Sequence, residues 1–332
     1  MTPLISVVIP SYNHRSYIGE AIASVRSQTY QPIEIVVIDD GSTDGSFEHI
    51  QSEFGSSIAH LARRENRGAH ATLNDAITRA RGEWISILNS DDVYAPDRVA
   101  KLWDFASHNN HDLVFSDVGF RDERGPLAAD HKAVQSHARA TASAERGSVE
   151  QALLRGNFAL TTSNLMIRKA TFDAIGPFRP FRYCHDWDFL LRAIGRARIG
   201  WLREPQLSYR LHAANTIREP DRWRHITENA LVYACFLIEA SGTESRAMQN
   251  SNYIFESREF APVVVGWLLS ECRRLGFAAI IQELEAGTLH QRLRAAFEPH
   301  FGVRDAGLTV RDMHKRLIGG MLKGLLDRLR NR

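Results

Sequence analysis

The sequence has few cysteines and no long apolar run. Its 332 residues include 3 cysteines, Cys184, Cys235 and Cys272, which lie far apart and form no Cys-x-x-Cys pair. This spacing argues against a disulfide framework and a zinc site. The best candidate for a membrane span, residues 260–269, is too short and contains Pro262. Because no basic region followed by an apolar core marks a signal peptide, we expect a cytoplasmic protein with reduced thiols.

Neither sign of charge is in excess. The chain has 41 Lys and Arg residues against 39 Asp and Glu residues, which gives a formal net charge of +2. The net charge by itself argues neither for nor against nucleic acid, and we expect no nucleic-acid partner. The hydrophobic fraction of 44% and the charged fraction of 24% are ordinary for a soluble globular protein. The length allows one large domain, or one domain with an appendage.

Strand-like and helix-like segments alternate in the first two-thirds of the chain. Strands are predicted at residues 5–9, 34–38, 58–61, 83–88, 112–116 and 165–167, and helices at residues 16–28, 46–54, 69–80, 97–105, 149–155, 169–175 and 188–194. This alternation predicts βαβ units and an α/β fold with a mostly parallel sheet. Residues 125–147 have weak periodicity and are predicted to form an exposed loop that orders on substrate binding. Since only helical patterns follow His225, we predict a catalytic domain over residues 1–224 and a helical extension over residues 225–332.

Acidic clusters occur at three points along the chain. One apolar strand runs into residues 39–44 (Asp-Asp-Gly-Ser-Thr-Asp), and a second runs into residues 89–92 (Asn-Ser-Asp-Asp). The third cluster, residues 185–188 (His-Asp-Trp-Asp), opens a helical run. Ligands of open α/β sheets bind outside the carboxyl ends of the strands, where carboxylates suit a hard divalent cation that also holds phosphate. The pattern predicts a nucleotide site with a metal and a further carboxylate for chemistry.

Five segments occur in the order found in family 2 glycosyltransferases: residues 7–13 (Val-Val-Ile-Pro-Ser-Tyr-Asn), 37–44, 66–68 (Asn-Arg-Gly), 88–92 and 186–188. The chain resembles that family over roughly its first two-thirds. The resemblance implies the GT-A fold. It also implies transfer of a sugar, with inversion, from a nucleotide diphosphate sugar to a hydroxyl acceptor, assisted by Mg²⁺ or Mn²⁺.

The resemblance assigns nucleotide contacts to the first strand ends. The loop that packs around the base and the ribose is matched by Pro10, Ser11, Tyr12 and Asn13. Tyr12 can stack on a base. Asp40 matches a residue that binds the pyrimidine ring, and a carboxylate accepts from N3–H of uracil or thymine but not from cytosine. Guanine also offers donors, so the base stays open. Arg67 is expected to meet a phosphate or the ribose, with a solvated surface arginine as the equal alternative.

Residues 89–92 match the Asp-x-Asp position of the family, with Asn89 in place of the first acid. We assign Asn89 and Asp91 to the nucleotide and Asp92 to the metal, which would stabilise the leaving nucleoside diphosphate. Residues 209–212 resemble a segment whose histidine approaches the metal. His212 is therefore a predicted metal ligand, and Arg210 a predicted phosphate contact. Solvated surface residues remain the alternative for both.

The third cluster supplies the predicted general base. Asp186 matches the base of the family, and His185 stands in place of an acid. A carboxylate that takes the proton of a sugar hydroxyl accelerates the attack by about 10²–10⁴-fold. Asp188 better suits the alternative role of a helix N-terminal acid. The acceptor side is expected near residues 161–164 and 178–181, where a polar loop and a turn are the simpler interpretations.

Residues 311–332 carry seven Lys or Arg residues against two Asp residues, a net charge of +5, together with a leucine-rich stripe. They predict a basic amphipathic helix that contacts an anionic membrane surface, docks on its own protein or pairs with another subunit. The expected partners are a nucleotide-sugar donor and a saccharide, glycolipid or protein-linked acceptor.

Two other functions stay open. A sugar nucleotidyltransferase would need a Gly-rich basic loop after the first strand, and residues 10–13 do not provide one. A non-catalytic carbohydrate- or nucleotide-binding scaffold of the same fold is kept open by Asn89 and His185.

Overall fold

The computed structural model describes residues 2–219, 222–241 and 262–301. The chain divides into two compact units, the first ending at Arg218 and the second beginning at Glu219.

A single mixed sheet is the centre of the first unit. Its strands are β1 Ile5–Ser11, β2 Ile33–Asp39, β3 His60–Arg63, β4 Trp84–Ile87, β5 Val93–Tyr94, β6 Leu113–Asp122, β7 Gly125–Pro126, β8 Met166–Arg168 and β9 Ile199–Arg210. The order is β3-β2-β1-β4-β8-β6-β9-β5, and β7 pairs with β6. Strands β3, β2, β1 and β4 are parallel, as are β6 and β9, whereas β8 joins β4 to β6 in the antiparallel direction. The carboxyl ends of β1, β2 and β4 therefore meet at one edge.

Eight helices accompany these strands in the described part of this unit. They are α1 Arg15–Arg26, α2 Ser46–Phe54, α3 Ala69–Arg79, α4 Arg98–Asn109, α5 Lys132–Ala144, α6 Val149–Arg155, α7 Lys169–Ile175 and α8 His185–Ala193. Helix α1 buries Ile18, Ile22 and Val25 in the core that also contains Val7 and Ile9 of β1. Because helices cover the central strands, these strands read as continuous apolar runs. The predicted bounds of α2, α6 and α7 are those observed.

Helix α5 corrects the predicted loop over residues 125–147. Thirteen of these residues, Lys132–Ala144, are helical. The run is rich in alanine, which has the highest helix propensity, and the His131 side chain accepts from the backbone N–H of Ala133 at the helix start. Of the helix residues only Ala144 is buried. A helix exposed on most faces carries little apolar periodicity, and this explains why the pattern did not indicate it.

The longest strand, β9, was not predicted. It spans 12 residues, Ile199–Arg210, and includes Pro205, a residue that argues against a central strand. The pairing of β6 with β9 shifts register on both sides of Asp117, and Pro205 lies at that irregularity. Strand β9 also pairs with β5, which begins directly after the Asn89–Asp92 motif. This pairing carries Arg210 and His212 to that motif.

The second unit is helical in its described part, as the pattern after His225 predicted. Its helices are α9 Arg222–Ser241, α10 Pro262–Leu275, α11 Phe277–Glu285 and α12 Thr288–Phe301. Among the described residues, no helix has the length and apolar character needed to cross a membrane. The predicted basic helix over residues 311–332 lies outside the described residues.

Candidate active site

The loops after β1 and β2 are joined by hydrogen bonds at the carboxyl edge of the sheet. The backbone N–H of Asn13 donates to Ser42 Oγ (2.8 Å), and Asn13 Oδ1 accepts from the backbone N–H of Thr43 (2.8 Å). Asn13 has a φ of +52°, a conformation that asparagine tolerates better than most residues. Tyr12, next to it, is 45% exposed. The predicted nucleotide loop is thus fixed in its backbone and open at its aromatic ring.

Asp40 connects the end of β2 to the Asn-Arg-Gly segment. Its carboxylate accepts from the backbone N–H of Arg67 (3.0 Å) and of Gly68 (2.8 Å), and Arg64 Nε lies 3.3 Å away. Gly68 adopts a φ of +88°, which favours glycine. The structure therefore brings together Asp40 and Arg67, two residues predicted to contact the nucleotide, through the backbone of Arg67, whose side chain is exposed.

Asn89 is held by the short 3₁₀ turn Thr162–Asn164 and the residue before it. Its amide nitrogen donates to Thr161 Oγ1 (3.2 Å), and its amide oxygen accepts from Thr162 Oγ1 (3.1 Å). Its backbone N–H donates to Ser163 Oγ (2.9 Å). Residues 161–164, predicted on the acceptor side, thus pack directly against the Asn89–Asp92 motif.

Three side chains of metal-ligand type meet beside this motif. His14, Asp91 and His212 each offer a ligand atom, and these atoms lie within 4.8 Å of one another. The Nε2 atom of His212 is 3.0 Å from a carboxylate oxygen of Asp91, and Nδ1 of His14 is 2.8 Å from Ser90 Oγ. We call these three residues the His–Asp–His cluster. Two imidazoles and one carboxylate form a donor set that suits a divalent cation.

The electrostatics of the His–Asp–His cluster favour the forms that bind metals. Burial lowers the pKa of His14 below its ordinary value of 6.5, which keeps the imidazole neutral. Burial alone would raise the pKa of Asp91, but the hydrogen bond from His212 and the nearby His14 outweigh burial and lower it. Metal ligands must be deprotonated, so a neutral His14 and an ionised Asp91 fit the site.

Asp92 points away from the His–Asp–His cluster. Its side chain is fully buried, with one oxygen accepting from Ser163 Oγ (2.6 Å) and the other from the backbone N–H of Arg210 (2.9 Å). Burial and the charge of Asp91 raise its pKa well above the ordinary value. The sequence predicts Asp92 as the metal ligand and Asp91 as a nucleotide contact, whereas the geometry favours Asp91 as the ligand. Neighbouring side chains in a turn point in different directions, which the sequence does not reveal.

The side chain of Arg210, a predicted phosphate contact, instead forms bonds within the protein. Its side chain is 4% exposed and forms an ion pair with Glu20. Its Nε atom donates to the backbone carbonyl of Asp91 (2.8 Å), and the guanidinium lies 5.1 Å from the centre of the Tyr17 ring. His212, the predicted ligand two residues on, does lie in the cluster. The guanidinium of Arg210 is therefore buried and contacts protein groups.

Asp186 lies at the start of α8 and is 5% exposed. One carboxylate oxygen accepts from Asn157 Nδ2 (2.8 Å), and the other accepts from the backbone N–H of Trp187 (2.8 Å). Burial raises the pKa of Asp186 to about 6 against the ordinary 3.8, although both hydrogen bonds lower it. A general base is most effective when its pKa lies near the working pH.

Asp188 is distinct from Asp186 because its partners are arginines. Its carboxylate pairs with Arg179 (3.1 Å) and with Arg192 (2.9 Å). Arg192 in turn donates to the carbonyls of Ile175 and Pro177 at the end of α7. Asp188 thus lies in the first turn of α8, as predicted, and also links α8 to the end of α7 through Arg192. Asp186 has no such arginine partner among the described residues and remains the candidate general base.

Two residues of the site were missed in the sequence. His14 follows the predicted nucleotide loop by one position, and its place beyond the end of β1 was a signal that could have been used. Asn157 lies in a loop without any motif that we could read, and nothing in the sequence linked it to Asp186.

The parallel strand ends, the His–Asp–His cluster and the buried Asp186 form the candidate active site of this α/β fold. The chain belongs to the family described as glycosyl transferase family 2, whose model matches residues 6–184. The predicted family, fold and enzyme class are thereby confirmed.

Proteins similar in sequence are also named as glycosyltransferases. An uncharacterized glycosyltransferase of Rickettsia prowazekii is 30% identical over 218 residues, which cover 65% of this chain and 66% of that protein. The putative teichuronic acid biosynthesis glycosyltransferase TuaG of Bacillus subtilis is 35% identical over 120 residues, or 36% of this chain and 47% of that protein. The match thus spans two-thirds or less of the length of both relatives.

Solved structures share the fold. S. aureus TarS in complex with UDP-GlcNAc superposes with a TM-score of 0.54 at 18% identity, covering 89% of this chain and 91% of that one. The mannosyltransferase PcManGT from Pyrobaculum calidifontis, in complex with GDP-Man and Mn²⁺, gives 0.56 at 18% identity, covering 98% and 88%. At this identity the similarity shows the GT-A-like fold alone.

Proposed function

We propose that the protein transfers a sugar, with inversion, from a UDP- or dTDP-sugar to a hydroxyl of a cell-envelope saccharide. The observation that carries the proposal is the His–Asp–His cluster. It is assembled from three distant chain segments, beside the loop of residues 10–13, at the carboxyl edge of the sheet. Nucleotide ligands of α/β sheets bind at this edge.

The metal is proposed to be held by His14, Asp91 and His212. Two imidazoles among three ligands favour Mn²⁺ over Mg²⁺, because Mg²⁺ prefers oxygen ligands. Enzymes of this fold generally use a divalent metal, and PcManGT was solved with Mn²⁺. When bound, the ion would neutralise charge on the diphosphate of the donor.

The nucleotide is proposed to lie against the loop of residues 10–13, with Tyr12 stacked on the base. The uracil or thymine preference rests on Asp40. Each oxygen of Asp40 accepts one backbone N–H, and Arg64 Nε lies 3.3 Å from one of them. A carboxylate accepts about four hydrogen bonds, which leaves capacity for N3–H. The similar structures contain UDP-GlcNAc and GDP-Man, which supports a nucleoside diphosphate sugar and leaves the base to experiment.

Asp186 is proposed as the general base of a single displacement. Its carboxylate takes the proton of the acceptor hydroxyl, while the hydroxyl oxygen forms a bond to the anomeric carbon. The bond between that carbon and the diphosphate oxygen breaks, and the nucleoside diphosphate leaves with the electron pair. One displacement at the anomeric carbon inverts its configuration. A base with a pKa of about 6 is ionised at neutral pH and still basic enough to accept the proton.

The acceptor is proposed to be a saccharide of an envelope polysaccharide, O-antigen or glycoconjugate. The name of TuaG, a putative teichuronic acid biosynthesis enzyme, supports this class. Contact of residues 311–332 with an anionic membrane, or with another subunit, remains a proposal from the sequence.

A thermal-shift experiment tests the donor proposal. The protein is heated with UDP, dTDP, CDP or GDP, each with and without Mn²⁺, and binding stabilises the folded state by RT ln(1 + [L]/Kd). We expect UDP or dTDP to raise Tm and to need Mn²⁺, and the matched variant Asp91→Asn to lose the Mn²⁺ dependence. A larger shift with GDP or CDP would overturn the proposed base, and equal shifts with and without Mn²⁺ would overturn the metal site.

A further inference from the structure

The loop that follows α6 connects the proposed base to the metal-side motif. Asn157, in this loop, donates to Asp186, and Ser163, six residues later, donates to Asp92. We propose that Asn157 is a positioning residue that orients the carboxylate of Asp186 for proton abstraction. This inference rests on the proposed role of Asp186 as the general base.

The amide of Asn157 is fixed at both of its polar atoms. Its Nδ2 atom donates to Asp186 Oδ2 (2.8 Å), and its Oδ1 atom accepts from the backbone N–H of Leu160 (3.2 Å). Because an N–H can only donate, the second bond sets the orientation of the amide and directs Nδ2 to the carboxylate. The other oxygen of Asp186 is held by the backbone of Trp187. These two bonds fix the plane of the carboxylate and leave lone pairs for an incoming hydroxyl proton.

The backbone that carries Asn157 is tied to the sheet by hydrogen bonds. Leu160 has a φ of +76°, a left-handed conformation that a leucine adopts only where the surrounding structure enforces it. The enforcing contacts come from Asn164, whose buried amide donates to the carbonyls of Ser116 (2.7 Å) and Ala159 (3.0 Å). Asn157 is therefore linked to β6 through a hydrogen-bonded segment.

The same segment reaches the other half of the site. Thr161, Thr162 and Ser163 bond to Asn89, and Ser163 also bonds to Asp92. The proposed base and the Asn89–Asp92 motif are thus both hydrogen-bonded to one segment, residues 157–164. This arrangement explains how a base on α8 keeps a fixed position relative to a donor bound at the strand ends.

Among the described residues, Tyr209 and His185 are ionisable neighbours of Asp186. Tyr209 on β9 interacts with it electrostatically, and burial together with the charges of Asp92, Asp91 and Asp186 raises the pKa of that phenol. His185 precedes Asp186, and burial lowers the pKa of His185 to about 4, so this neighbour is neutral at pH 7. Both groups keep a constant charge between pH 5 and pH 8. Titration of these two groups therefore does not contribute to the response of Asp186 in that range.

The test is the titration of Asp186 in the full chain labelled with ¹³C at the aspartate carboxyl carbons. The resonance absent from Asp186→Asn identifies the residue, and no substrate is needed. The N–H of Asn157 favours the ionised carboxylate, so Asn157→Ala should raise the titration midpoint by roughly one pH unit. Asn157→Ser, which keeps a shorter donor, should give an intermediate midpoint and serves as the second variant if the alanine variant does not fold.

Trp187→Phe is the matched control. It removes the bond from the indole N–H to the Leu153 carbonyl, another link between α6 and α8, and keeps the backbone N–H that Asp186 accepts. We expect its midpoint to equal that of the wild type. A midpoint in Asn157→Ala or Asn157→Ser that equals the wild-type value would overturn the inference. Full turnover by Asp186→Asn would instead overturn the proposed base while leaving the Asn157 hydrogen bond intact.

Discussion

The Nε2 atom of His212 lies 3.0 Å from a carboxylate oxygen of Asp91, although 121 residues separate the two in the chain. His212 follows the end of β9, and Asp91 follows the end of β4, two strands that are not neighbours in the sheet. The bond from the Arg210 backbone to Asp92 and the bond from the Arg210 side chain to the Asp91 carbonyl fix the approach. The fold thus assembles the candidate cation site from segments that are distant in the chain.

The two adjacent acids should differ in their effect on Mn²⁺ binding. Asp91→Asn removes the charged ligand of the cluster, so we expect Mn²⁺ affinity to fall by at least about 10–100-fold. Asp92→Asn is the matched control, because Asp92 is buried and bonded to Ser163 and to the Arg210 backbone. We expect that variant to bind Mn²⁺ within a few-fold of the wild type. Calorimetric titration measures both, and the reverse ranking would restore Asp92 as the ligand.

Replacing Asp186 should abolish turnover and spare donor binding. Asp186→Asn keeps the shape of the side chain but cannot take a proton, so we expect kcat to fall by about 10²–10⁴-fold with little change in donor affinity. Because the base must be ionised, wild-type kcat should decline as the pH falls through about 6. The pH profile of sugar transfer checks both points. Turnover of the variant within a few-fold of the wild type would exclude Asp186 as the base.

The same substitution should change the pH dependence of stability. The pKa of Asp186 is raised in the folded state, so its ionisation destabilises the protein as pH rises from 3.8 to about 6. The difference between these values corresponds to roughly 3 kcal/mol as an upper estimate. Asp186→Asn removes this cost, although its amide N–H₂ must face one of the two N–H donors that Asp186 accepts, from Asn157 and Trp187. The free energy of unfolding of the variant relative to the wild type should therefore rise between pH 4 and pH 7.5. Urea unfolding at both pH values measures this, and a difference that stays constant or falls would contradict the prediction.

Replacement by alanine should lower stability at Arg210 and weaken UDP binding at Arg67. Arg210 is buried and paired with a partly exposed Glu20, so Arg210→Ala should cost roughly 2–4 kcal/mol of stability, between the values for exposed and buried pairs. Arg67 is exposed, so Arg67→Ala should change stability by less than about 0.5 kcal/mol and weaken UDP binding. Unfolding and UDP titrations separate the two roles. A stable Arg210→Ala protein with weakened UDP binding would restore Arg210 as a phosphate contact.

The strand ends could be predicted because burial leaves a direct mark on the sequence. Strands β1, β2 and β4 are covered on both faces, so they read as apolar runs, and the polar residues that follow them identify the ligand edge. Helix α5 and strand β9 left weaker marks. Lys132–Ala144 is mostly exposed, and Ile199–Arg210 contains a proline at an irregular pairing, so both depend on contacts that the local pattern does not express.

The choice between neighbouring residues could not be predicted for a different reason. Asp91 and Asp92 are identical in type and adjacent, and only the pairing of β9 decides which one meets His212. His14 and Asn157 act across long stretches of chain, and their partners come from other elements. Contacts of this kind are set by tertiary packing, which single-sequence periodicity does not record.

Pulsed EPR of Mn²⁺ bound to the purified protein tests the proposed cation site most directly. Imidazole nitrogen bound to Mn²⁺ gives a ¹⁴N modulation that water and carboxylate ligands do not give. We predict this modulation for the wild type, a weaker one for His14→Ala and for His212→Ala, and none for the double variant. Mn²⁺ that binds without any ¹⁴N modulation in the wild type would contradict the account.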